Sequence, residues 1–128
     1  MKKLLIIALL FIGMMGFAQK AQIVEDYYQC MTISPTNVKS EWKELKSRFI
    51  FNYGGNESIV KVFIGNKVFQ FEQQGVTEKG KTESGMTYQL ISLFDVDTFE
   101  EVYIQVFDDQ RYGVRVLLND NSMIQFVK

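Results

Sequence analysis

The chain has 128 residues, with 14 Lys and Arg against 15 Asp and Glu, no histidine, one cysteine and one proline. That length holds one domain with a sizeable core, and the near-neutral charge argues against nucleic acid or an anionic membrane surface as a partner. The absence of histidine removes the commonest general base and zinc ligand, and the single cysteine excludes an internal disulfide.

Lys2 and Lys3 precede an apolar run from Leu4 to Phe17, and Gly16-Phe17-Ala18 offers small residues ahead of Gln19. This is the order of a signal peptide, expected over residues 1–18 with cleavage near Ala18-Gln19. The run is shorter than the roughly 20 apolar residues of a spanning helix, so contact with the membrane is expected only through the uncleaved signal. A lipoprotein would carry cysteine where Gln19 stands. The expected product is a secreted or periplasmic single domain over residues 19–128. Cleavage leaves 12 basic and 15 acidic residues, a formal charge of −3 (12 − 15).

Residues 19–28 read as a loose segment leading into a first strand near Gln29–Ile33, and Ser34-Pro35-Thr36-Asn37 reads as a turn. Residues 37–47 carry two readings. Val38, Trp42 and Leu45 recur at helical spacing behind a capping Asn37, which suggests a short helix near Trp42. An extended arm running into the next strand is the competing reading, preferred on the resemblance described below. In either case Trp42 is expected to pack on the domain. Arg48–Tyr53 alternates as a strand with Phe49, Phe51 and Tyr53 on one face.

The strongest local signal lies between Ile59 and Phe71. Two β-branched and aromatic runs flank Gly65-Asn66, the pattern of a two-residue hairpin. The implied register sets Val62 opposite Phe69, Val60 opposite Phe71 and Lys61 opposite Gln70. A slip of one residue would mix the two faces.

Gln74–Gly85, with three glycines and a polar run, reads as the longest loop. Met86–Phe94 is a strand apolar on both faces, and Asp95–Glu100 turns the chain into a strand over Glu101–Phe107. A three-residue loop at Asp108-Asp109-Gln110 would pair Val106 with Tyr112, Ile104 with Val114 and Val102 with Val116. The last turn, Asn119-Asp120-Asn121, aligns Val116 with Ile124 and Val114 with Phe126. The sum is an all-β fold, an antiparallel meander of six to eight strands closing into a small barrel or sandwich.

Chemistry-bearing motifs are sparse. Gly54-Gly55-Asn56 precedes a strand rather than opening a helix, so it reads as a turn and not a phosphate loop. Asp95 and Asp97, with Glu100 and Glu101, lack the glycine and spacing of a calcium loop and read as solvated turn acids. Asp108 and Asp109 read the same way. Cys30 reads as a buried, inert thiol. No catalytic, cofactor-binding or metal-binding residue is assigned. Phe63 and Val68 face away from the expected core beside the hairpin turn and form a candidate contact patch.

The motifs Phe49-Ile50-Phe51-Asn52, Gly85-Met86-Thr87-Tyr88-Gln89-Leu90-Ile91, Phe107-Asp108-Asp109 and Met123-Ile124-Gln125-Phe126 give the C-terminal two-thirds a resemblance. It resembles a group of small exported bacterial β-rich proteins of uncharacterised function. The resemblance implies a signal peptide and a compact β-domain, and no activity, ligand or catalytic residue. The expected role is a non-catalytic binding or interaction protein of the cell envelope or extracellular space, with an unidentified protein or small ligand as partner. The alternative is a β-barrel carrier of a small apolar ligand, and an interior cavity would favour it.

Overall fold

A computed structural model describes residues 21–128; the expected signal peptide, residues 1–18, lies outside the described residues. Nine strands follow in chain order: β1 (Ile23–Ile33), β2 (Lys43–Phe51), β3 (Ile59–Ile64), β4 (Lys67–Gln73), β5 (Glu78–Lys81), β6 (Thr87–Asp95), β7 (Glu101–Phe107), β8 (Val114–Leu117) and β9 (Met123–Val127). All pairings are antiparallel. β1 pairs with β9 and β4 reaches across to β6, so eight strands close into a barrel and β5 is additional. Closure leaves the barrel strands without a long open edge.

The central hairpin adopts the register read from its sequence: Val62 lies opposite Phe69, Val60 opposite Phe71 and Lys61 opposite Gln70. Val60, Val62 and Phe71 are buried. The same strand presents Phe63 outward, because successive side chains alternate across the sheet. The final hairpin also has its expected register, with Val116 opposite Ile124 and Val114 opposite Phe126.

The structure decides between the two readings of residues 37–47 and corrects three other expectations. Of the two readings of residues 37–47, the extended arm holds and the short helix near Trp42 is absent: Lys39 bridges Ile33, and Lys43–Phe51 form β2, between β1 and β3. Only Leu45 of the helical triplet packs on the core, while Val38 is 65% and Trp42 46% exposed. A helix there would leave the facing edges of β1 and β3 without backbone partners. The loose segment over residues 19–28 is also corrected from Ile23 onward. Alternation there is real, with Tyr27 inward and Tyr28 outward, and a bulge after Tyr27 obscures its continuation to Cys30. Finally, Gln74–Gly85 is not one loop. β6 pairs with Gln73 at Leu93 and with Glu78 at Leu90, so β5 resumes the ladder of β4 after an excursion of the chain. Gly80 makes room for the Tyr88 ring, which a Cβ would meet at 2.5 Å.

The turn between β7 and β8 is longer than three residues. A 3₁₀ turn at Gln110–Tyr112 and then Gly113 separate the strands. The resulting pairs are Val106 with Val114 and Ile104 with Val116. The expected register is off by two, which exchanges partners but keeps every side chain on its face.

Inside the barrel, Phe49, Phe126, Leu93, Ile104, Val62 and Val114 are essentially inaccessible to solvent. Phe49 meets Phe126 edge-on at 5.2 Å between ring centroids and Tyr27 at 5.6 Å. Eight strands enclose a space that side chains of this size fill. Cys30 belongs to this packed cluster.

Candidate functional site

The packing does not extend to both ends of the barrel. Where β1, β3 and β6 begin and β7 ends, the interior opens into a cup of about 760 Å³. Its floor is Val60, Ile91 and Val106, which rest on the packed interior. Its walls carry the inward positions one step further out, including Glu25, Gln73, Gln89 and Lys128. The alternation of β1 places Ile23, Glu25 and Tyr27 on the inner face opposite Phe51, Phe49 and Ser47 of β2.

The rim is built from two connections. Between β4 and β5 the Gln73 amide donates to the Gly75 carbonyl at 3.3 Å and to Thr77 Oγ1 at 3.0 Å. These bonds hold the excursion at the mouth with Val76 82% exposed. Between β7 and β8, Asp109 Oδ1 accepts from the Arg111 backbone N–H at 3.0 Å. The Phe107 N–H donates to the Gly113 carbonyl at 3.1 Å. Asp108, on the rim, accepts a hydrogen bond from the Thr87 hydroxyl.

Tyr27 and Lys128 define the electrostatics of one wall. Tyr27 is 4% exposed. Burial, aided by the charge of Glu25, pushes the phenol up to about 12, so it stays protonated at neutral pH. Lys128 Nζ donates to Glu25 Oε1 at 2.9 Å and stands 5.9 Å from the centroid of the Tyr27 ring. Lys128 is the one cationic side chain among the described residues lining the cup.

Phe63 and Val68 lie elsewhere. They are direct cross-strand partners on the outer face of the central hairpin, near its turn and away from the cup. Val68 is 52% exposed and Phe63 is half-buried. Lys61 Nζ sits 5.7 Å from the Phe63 centroid and 4.6 Å over the Tyr53 ring. The pair is therefore covered in part by its own strand neighbours.

The acids around Asp95 are engaged in turn geometry. Asp95 Oδ1 accepts from the backbone N–H groups of Asp97 and Thr98 at 2.8 and 3.2 Å. Glu101 accepts from the Gln74 amide at 2.7 Å, and Glu100 from Asn119 at 3.4 Å. Among the described residues, no group of three or more Cys, Asp or Glu is placed to hold a metal ion.

Sequence reasoning missed the cup. Its wall residues come from β1, β4, β6 and the end of the chain, four places with no motif in common. The one local signal was the alternation Ile23-Glu25-Tyr27, an acid between two apolar inward positions. Comparison with protein-family models, curated proteins and solved structures returned no match to this chain. No helix of the described residues is long and apolar enough to cross a membrane.

Proposed function

We propose that this is an exported, non-catalytic binding protein that takes a small amphiphilic molecule into the open end of its barrel. The observation that carries the reading is the cup itself. Its volume of about 760 Å³ falls in the range of small-molecule sites. An apolar floor beneath carboxylate, amide and ammonium groups suits a ligand with an apolar body and a polar head. The filled centre of the barrel limits the ligand to the mouth, so a long chain threaded through the barrel is not accommodated. Export is supported by the order of charged, apolar and small residues over residues 1–18. The outer Phe63–Val68 pair supports a protein contact less well, because it is a single cross-strand pair and one member is half-covered.

The test is a fluorescence titration with N-phenyl-1-naphthylamine, a neutral dye that brightens in apolar surroundings. One saturable site per folded chain is expected, competed by n-decanol. Ile91→Trp, which fills the floor, should abolish the site while the protein still melts cooperatively. A folded wild-type protein that shows no saturable dye binding would overturn this reading.

A further inference from the structure

The cup carries a second level of information, the charge of the ligand head, and the inference drawn from it rests on the reading of the cup as a binding site. We propose that Glu25 and Tyr27 form an ammonium subsite in the wall of the cup, and that Lys128 fills it from within the chain until a primary amine on the ligand displaces it.

The geometry of Lys128 is that of a bound ammonium group. Its Nζ meets a carboxylate oxygen of Glu25 at 2.9 Å and an aromatic face at 5.9 Å. A carboxylate beside an aromatic ring is a general solution for holding a cation, combining ion pairing with attraction to the ring face.

The head group is therefore an amine rather than an acid. An anionic head entering this wall would meet Glu25 and Asp108, and Lys128, the one cation among the described residues lining the cup, is already paired with Glu25. Displacing Lys128 is inexpensive. Its side chain is 45% exposed, and that of Glu25 30%, so the released ammonium returns directly to water. Exposed pairs of this kind contribute little on their own. The apolar body of the ligand would lie against Val60, Ile91 and Val106, which contribute binding that Lys128 itself does not use. Glu25 and Tyr27 occupy inward positions of β1, and Lys128 follows β9 at the lining of the cup, so the subsite needs no rearrangement of the barrel.

The experiment compares n-decylamine, n-decanol and decanoate as competitors of the dye at pH 7 and low salt. Decylamine should compete about three- to tenfold better than decanol, the scale of one exposed ion pair and one cation–ring contact. Lys128→Met, which empties the subsite, should raise decylamine affinity by about the same factor and leave decanol within about twofold. Glu25→Gln should remove the preference for the amine. The two substitutions break the same ion pair with opposite expected effects on decylamine, which separates displacement from damage to the fold. Equal competition by amine and alcohol, unchanged by Glu25→Gln, would overturn the ammonium subsite and leave the cup as a binding site. Preferred binding of decanoate, lost in Lys128→Met, would overturn it in favour of an anion site. Absence of dye binding altogether would overturn the cup and this inference with it.

Discussion

Replacing Gly113 by alanine tests whether the β7–β8 connection is held as the structure describes. Gly113 has φ +60° and ψ −126°, a region that residues with a Cβ rarely enter. That conformation alone costs of order 1–3 kcal/mol for a side-chain-bearing residue. The surroundings make it worse. A Cβ would lie 1.9 Å from the carbonyl oxygen of Phe126 and 3.3 Å from the Cα of Val127. These are backbone atoms of β9, and Phe126 is fully buried against Phe49, so the contact cannot be relieved by turning a side chain. Nor can the turn swing outward freely, because the Gln125 amide donates to the Tyr112 carbonyl at 2.8 Å. Strain and displaced packing together should cost at least about 3 kcal/mol, a large part of a typical stability of about 5–15 kcal/mol. Urea and thermal unfolding followed by circular dichroism give the measurement, with a fall in melting temperature of about 12 °C or more. Gly54→Ala is the control. Gly54 has φ +67° but nothing within 4 Å of the added Cβ, so only the conformational cost of about 1 kcal/mol remains. If the two variants lost similar stability, the close approach of Gly113 to β9 would be refuted.

Ser47 has a buried hydroxyl without a hydrogen-bond partner, opposite Tyr27. Ser47→Ala should leave stability unchanged or raise it by about 1 kcal/mol, since an unsatisfied buried hydroxyl is unfavourable; a clear loss in urea unfolding would mean the hydroxyl has a partner. Phe71→Ala should cost about 3–5 kcal/mol, because the ring is 6% exposed in the core. Val68→Ser, on the outer face of the same hairpin, should stay within about 0.5 kcal/mol, and similar melting shifts for the two would reverse the face assignment. For Tyr27, burial and then the charge of Glu25 push the folded phenol up to about 12 from an ordinary 10.0. Its contribution to stability is therefore complete below pH 10 and is lost as pH rises toward 12. Tyr27→Phe should delete the component near 12 from the alkaline absorbance titration, and an unchanged titration curve would show that this phenol is not the buried one.

Much of the strand order was legible because strand pairing here is local. The hairpin around Gly65-Asn66 and the turn at Asn119-Asp120-Asn121 each declare their register, since a slip would send Phe71 or Phe126 to the wrong face. Errors arose where a connection was irregular. The 3₁₀ turn before Gly113 lengthened the β7–β8 connection by residues that have no apolar periodicity, so the pairing of Ile104 moved from Val114 to Val116. The helical spacing of Val38, Trp42 and Leu45 was a coincidence of three positions, overridden by the backbone groups that β1 and β3 present to β2.

The amino-acid sequence by itself determined the all-β class, the antiparallel succession and the inward faces of most strands, because alternation of apolar residues is a property of neighbours along the chain. Whether those strands closed as a barrel or stacked as a sandwich was decided by β4 reaching β6 and β1 reaching β9, pairings between residues far apart in sequence. The cup followed from closure in the same way. Glu25, Tyr27 and Lys128 meet only because the first and last strands lie side by side, and a contact spanning almost the whole described chain leaves no trace in local spacing.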